Sequence, residues 1–324
     1  VATTCGAFQP ADPGRRPLRP TTGLLTVLLA AALAAGGCTS GNATEEQAAT
    51  AAASVTAATS TDAPPGSTGT PAPSPSEPGS APPPPPRSPE PQQRWRPAPG
   101  VTWQWQLTVP VDTSVKAEVF DIDAVENGPE VVRELQAKGS KVICYVNVGA
   151  SEDYRPDAHR LRGPVQGKEN GWPGERWLDV RRLDVLLPVM AERFQVCRDK
   201  GFDGIEADLA DAYAHDTGHQ ISAEDQLAYN RALAKLAHGK GLAIGLKNAL
   251  GLVPQLVAEF DFAVNEQCAE FDECAQLTPF IKAGKAVLHA EYDVPNDKFC
   301  PVTRKLGFSS MRKNLKLDAP RWPC

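Results

Sequence analysis

From Trp103 onward, short apolar runs of strand length alternate eight times with segments of helical period. The runs fall at 103–107, 117–122, 141–146, 203–208, 242–247, 262–266, 285–291 and 306–312. Such alternation makes parallel strands joined by crossover helices, and eight units in roughly 225 residues suit a closed (β/α)8 barrel of the α/β class. A doubly wound open sheet is the competing arrangement, but no G-x-G-x-x-G follows the first run, which counts against its dinucleotide-binding version. Between the runs, Gly128-Pro129-Glu130 predicts a helix start and Gly139 its end. Ser222 and Asp225 predict a capping box ahead of an apolar stripe formed by Tyr229, Leu233 and Leu236. The segment from Gly149 to Asp179, interrupted by Pro156, Pro164 and Trp172-Pro-Gly174, reads as a loop over the barrel mouth.

Composition divides the chain ahead of this pattern. Arg15, Arg16 and Arg19 precede an apolar stretch of about a dozen residues from Gly23, then Gly36-Gly37-Cys38, the order of an export signal with a lipobox-like end. Residues 1–38 are therefore expected to be a signal segment with a lipid anchor on Cys38. Residues 39–99, rich in Ala, Thr, Ser, Pro and Gly, lack the large apolar side chains that offset ordering entropy and read as a disordered linker. Residues 100–324 remain as the folded domain. A net charge of −6 without a basic run in that domain argues against nucleic acid, and a membrane is expected only through the lipid.

Setting aside Cys5 and Cys38, six cysteines remain, an even set suited to an oxidising compartment outside the cytoplasm. Cys144 alternates with Tyr145, so if Tyr145 faces the barrel interior, Cys144 faces the helix layer, within reach of Cys197. Cys268 with Cys274 would close a short loop, and Cys300 with Cys324 would staple the C-terminal tail.

Barrel chemistry sits at the C-terminal strand ends. There the second run delivers Asp121 and Asp123, the third Tyr145 and Asn147, and the fourth Glu206 and Asp208, with Asp211 just beyond. The fifth delivers Lys247 and Asn248, the sixth Asn265 and Glu266, and the seventh Glu291 and Asp293. Like charges crowded at one mouth raise each other's pKa, and two opposed carboxylates are the equipment of glycoside hydrolysis. Trp103, Trp105, Tyr145, Trp172 and Trp177 can stack on sugar faces, although for each tryptophan a place in the core is the commoner use. His215 and His219 have the spacing of a metal pair but lack the H-E-x-x-H glutamate, and no P-loop or G-x-S-x-G elbow is present, so no cofactor or metal is expected.

Several motifs carry a resemblance: Glu175-Arg-Trp-Leu-Asp179, Gly201-Phe-Asp-Gly-Ile-Glu-Ala-Asp208, Gly245-Leu-Lys-Asn248, Asn265-Glu-Gln-Cys268, and Gly284-Lys-Ala-Val287 with Glu291-Tyr292. In this order they resemble the endo-α-1,4-polygalactosaminidase family of glycoside hydrolases, across essentially all of 103–324. The resemblance implies a (β/α)8 barrel that cleaves galactosamine-rich exopolysaccharide internally, with Asp208 and Glu266 catalytic. Asp121, Asp123, Tyr145, Glu206, Asp211, Lys247, Asn248, Glu291 and Trp105 are then expected to line the substrate cleft of a monomer. Glu266 is expected to be the acid/base, desolvated by Val264 and its neighbours, and Asp208 the nucleophile in more polar surroundings. A glycan-binding protein without turnover and a hydrolase of another amino-sugar polymer are the alternatives.

Overall fold

The computed structural model describes residues 94–324; the signal segment, Cys38 and the linker as far as residue 93 lie outside them. Along the chain the strands are β1 (Trp103–Trp105), β2 (Val119–Asp123), β3 (Lys141–Asn147), β4 (Ala150–Glu152), β5 (Gln166–Glu169), β6 (Glu175–Leu178), β7 (Gly204–Asp208), β8 (Ala243–Lys247), β9 (Phe262–Glu266), β10 (Val287–Glu291), β11 (Ser309–Lys313) and β12 (Arg321–Pro323). The helices are α1 (Pro129–Ala137), α2 (Leu183–Lys200), α3 (Ala223–Gly239), α4 (Val253–Leu256), α5 (Thr278–Lys282) and α6 (Asn296–Lys305).

Eight strands run parallel in the order β1-β2-β3-β7-β8-β9-β10-β11, and β12 adds antiparallel to β11. Two side-chain bonds and one backbone bond bring the two edges together. Trp103 Nε1 donates to Ser309 O at 2.9 Å, Gln104 Nε2 to Ala319 O at 2.8 Å, and Leu107 N to Leu317 O at 3.0 Å. The result is a nearly closed barrel, as the alternation predicts. The capping box at Ser222 is present in full, and Gly139 ends the first helical unit with φ 91°.

Strand alternation sorts the core into two layers. Phe120, Ile122, Val142, Cys144, Ile205 and Leu246 face the helices, whereas Val119, Ile143, Ala243, Phe262, Val264, Leu288, Ala290 and Met311 fill the barrel with Trp103 and Trp105. All three expected disulfides form, Cys144–Cys197 linking β3 to α2 through the helix layer.

The structure revises three expectations. The segment 149–179 is not a plain loop, because β4, β6 and β5 pair there as a three-stranded antiparallel sheet. The eighth barrel strand starts at Ser309 rather than 306, since α6 runs to Lys305 and Gly307, at φ 79°, turns the chain before β11 can begin. Residues 94–99 are seated on the barrel. There Arg94 and Arg96 both pair with buried Asp261, Trp95 packs against Phe262, and Pro97 O accepts from Ala286 N.

Candidate active site

The inward positions at the C-terminal ends of β2, β3, β7, β8 and β9 converge on one cation. Lys247, at the end of β8, is 4% exposed, and its Nζ stands 2.8 Å from Asp208 Oδ1, 2.9 Å from Glu266 Oε2 and 3.4 Å from Glu206 Oε1. Burial works to lower the lysine's pKa, but the three carboxylates outweigh it and hold the ammonium above its ordinary range. Because β7, β8 and β9 are successive neighbours in the sheet, Asp208 and Glu266 flank Lys247 from either side.

Each flanking carboxylate has a tyrosine of its own. Tyr145 OH donates to Asp208 Oδ2 at 2.8 Å, and Tyr292 OH donates to Glu266 Oε1. Burial first, then the neighbouring carboxylate, raises the pKa of both phenols, so they act as fixed neutral donors. Asn248, in the left-handed region at φ 48°, accepts from the Glu266 backbone N–H at 3.0 Å and donates to Glu266 Oε2 at 3.4 Å. Glu266 is not the drier carboxylate: its side chain is 23% exposed against 14% for Asp208, because it ends β9 at the open mouth while Asp208 is covered by Tyr145 and Lys247.

Beneath this layer, Asp121 and Glu206 are fully buried, and apart from the Lys247 ammonium 3.4 Å from Glu206 Oε1 no donor among the described residues reaches their oxygens. They can satisfy each other only by sharing a proton. Burial and the charge of Glu206 push Asp121 well above the carboxylate range, so Asp121 carries the proton. Burial also raises Glu206, held at about 7 with Lys247 opposing the rise. Trp105 is part of this floor. It is fully buried, and the Lys247 ammonium lies 4.8 Å from its ring centroid, so it supports the lysine rather than a sugar. Trp103 and Trp177 are likewise core.

Three other expected cleft residues lie apart. Asp123 takes Arg155 at 2.6 Å and anchors the segment that follows β4. Asp211 pairs with His215 at 3.2 Å, and His215 stacks on Trp177. Glu291 points into the helix layer, fully buried, accepting from Ala269 N at 2.8 Å and meeting His289 at 2.8 Å; His289 in turn packs edge-on to Phe299 of α6. On β10 it is Leu288 and Ala290 that face inward, so Tyr292, two residues on, reaches Glu266. The hydrophobic phase of a strand buried on both faces does not announce this, though Tyr292 stands in the motif quoted above.

A second residue missed at the sequence level is Glu175 of β6. It accepts from Asn170 Nδ2 at 2.9 Å and from Asn147 Nδ2 at 3.3 Å, with the Tyr154 hydroxyl, which donates to Glu152, 3.3 Å away, and burial raises it to about 7. It lies over the strand ends only because the antiparallel sheet folds there.

Comparison with known proteins places the chain in a family. The model of glycoside-hydrolase family GH114 matches residues 85–324. The crystal structure of Aspergillus fumigatus Ega3 in complex with galactosamine is similar at 35% identity and a TM-score of 0.68, over 71% of this chain and 97% of that one. The glycoside hydrolase domain of PelA from Pseudomonas aeruginosa shares the fold at 17% identity and a TM-score of 0.53, over 68% and 97% of the two chains. No curated protein matches.

Proposed function

Because the chain belongs to glycoside-hydrolase family GH114, we propose that it cleaves an α-1,4-linked, galactosamine-rich polysaccharide internally, with Asp208 as nucleophile and Glu266 as acid/base. The carrying observation is the placement of both carboxylates against one lysine. Since Nζ of Lys247 touches Asp208 Oδ1 at 2.8 Å and Glu266 Oε2 at 2.9 Å, those two oxygens are at most about 5.7 Å apart, the two contacts laid end to end. For its nearest oxygens the pair thus lies closer to the roughly 5–5.5 Å of a retaining pair than to the roughly 6.5–9.5 Å that an inverting pair leaves for its water. It favours retention of configuration.

In the first step an Asp208 oxygen bonds to the anomeric carbon as the glycosidic C–O bond breaks, and Glu266 gives its proton to the leaving oxygen. In the second, water attacks the glycosyl ester while Glu266 takes the water's proton, which frees Asp208 and releases an α product. Lys247 and Tyr145 hold Asp208 aimed, at 2.8 Å each. Glu266, the more exposed of the pair, faces the side by which the leaving chain departs. The excess of carboxylates over cations at the mouth suits a polymer bearing ammonium groups, and the sugar in the Ega3 complex is galactosamine. The three disulfides support an oxidising location outside the cytoplasm, and the lipid anchor on Cys38 belongs to the same reading.

The test is reducing-end release from purified α-1,4-galactosamine polymer, with other amino-sugar polymers and neutral glycans alongside, and NMR of the first anomer formed. Short oligomers carrying an α anomer are expected. Turnover confined to another amino-sugar polymer would replace the substrate, a β anomer would overturn the mechanism, and binding without cleavage of any of them would make this a glycan-binding protein.

A further inference from the structure

The Asp208 side of the mouth carries a carboxylate that the cleavage steps do not use. Glu175 is the first residue of β6, and its Oε2 is held by two amides, Asn170 at 2.9 Å and Asn147 at 3.3 Å. Asn147 is the register partner of Asp208 across β3 and β7, so Glu175 stands beside Asp208, near enough for each charge to be felt by the other. Around it are Glu152 of β4, Tyr154, Tyr145 of β3 and Asp208 of β7. Glu152 is neutralised by Arg155 at 2.9 Å, and Asp208 by Lys247 at 2.8 Å. Among the described residues, no lysine or arginine pairs with Glu175.

An anion oriented by two amide donors, half-buried and lacking a cation, is organised to receive one from outside, since the Tyr154 hydroxyl spends its one proton on Glu152 at 2.8 Å. The chemistry of the site limits which. Asp208 attacks the anomeric carbon, and the substituent on C2 lies only two bonds from that atom, so a group beside Asp208 is within reach of it. An ammonium there would pair with the carboxylate. An acetamide or a hydroxyl would leave a partly desolvated charge unpaired, the asymmetry by which polar sites reject near-isosteres most strongly.

We propose that Glu175 is the amine-reading residue of this enzyme: it binds the C2 ammonium of the sugar seated against Asp208 and so selects deacetylated over N-acetylated units. The inference rests on the proposed role of Asp208. Because burial holds the Glu175 carboxyl at about 7, a bound ammonium favours its ionised form, and the preference for amine sugars grows as pH rises through that value.

The test compares the full chain with Glu175→Gln, which keeps an acceptor for Asn170 and Asn147, and with Glu175→Asp, which keeps the charge. Calorimetry measures galactosamine and N-acetylgalactosamine binding at pH 6 and 7.5, and rates are taken on deacetylated and acetylated α-1,4 oligomers. For Glu175→Gln, affinity and kcat/KM for the amine sugars should fall at least tenfold with the acetylated ones little changed, while Glu175→Asp should keep part of the preference. Equal losses on both sugars, an undiminished amine preference in Glu175→Gln, or a parent that prefers the acetylated sugar would each overturn the proposal. A parent that cleaves neither oligomer would refute the proposed function, whereas the binding comparison would still decide the role of Glu175.

Discussion

The ammonium of Lys247 lies 2.8 Å from Asp208 Oδ1, and the same nitrogen closes on Glu266 at 2.9 Å, so one buried cation sets the spacing of the two carboxylates. A shorter or neutral side chain at this position cannot reproduce that spacing.

Lys247→Met is therefore expected to lower kcat by about two orders of magnitude, the scale of an ångström-level misplacement of reacting groups. It also strips the counter-ion from Asp208, Glu266 and buried Glu206, a loss of about 3–5 kcal/mol when one partner of a buried pair is removed. Protonation relieves that penalty. With Glu206 held at about 7, the thermal deficit against the parent should be larger at pH 8 than at pH 5. Equal deficits at both pH values would mean that Lys247 contributes packing alone.

Asp208→Asn and Glu266→Gln should both fold, by circular dichroism, and both lose about 10²–10⁴ in turnover on the polymer. Substrates with an activated leaving group separate the two roles. Glu266→Gln should recover first-step rate on them because no proton is then needed, while Asp208→Asn should not. The reverse pattern would exchange the assignments.

Asp261 is 1% exposed and takes Arg94, Arg96 and His238; the bonds and charges of His238 and Arg94 outweigh its burial and bring its carboxyl down to about 2 from an ordinary 3.8. A depressed carboxylate contributes stability that is present above its unfolded pKa and lost as pH falls through the folded one. The contribution is about 2 kcal/mol. In denaturant melts, Asp261→Asn should be less stable than the parent by about that amount at pH 6, with the gap closing between about pH 4 and pH 2.

Cys300–Cys324 closes 24 residues and ties β12, the strand that nearly completes the barrel, to α6. Replacing both cysteines by alanine should cost about 3 kcal/mol on the loop-entropy scale. The corresponding pair at Cys144 and Cys197, which spans 53 residues, should cost about 4 kcal/mol. Unchanged denaturation midpoints in both double variants would show that the denatured chain is already restrained without the bridges.

Gly245 faces the barrel interior on β8, where an added Cβ would sit 2.2 Å from the Phe262 ring. Gly245→Ala should cost about 1–3 kcal/mol through overpacking, and Phe262→Leu in the same chain should return part of it. A variant as stable as the parent would mean that the ring can move aside.

The barrel was legible in the chain because strand and helix periods are local properties: eight apolar runs of the right length, spaced by helix starts and stops, leave few ways to bury their surface. The Cys144–Cys197 bridge followed from the same local rule, since Cys144 and Tyr145 must face opposite sides of one strand, and the other two from short spacing and the position of the tail. The carboxylates at the strand ends and the lysine among them could likewise be read in order.

Which of those groups meet was decided only by the closed sheet. Neighbouring strands put Asp208 and Glu266 against one lysine, and the barrel floor forces Asp121 and Glu206 to share a proton. On β10 both faces are buried and a polar pair, His289 and Glu291, lies on one of them, so the sequence does not reveal its phase, and Glu291 turns to the helices while Tyr292 serves the site. Glu175 reaches the mouth through an antiparallel sheet inside what reads as a loop. Local sequence sets the period of each element and the chemistry at its end, but register and closure are contacts between residues far apart in the chain, and only their summed packing selects which ends converge.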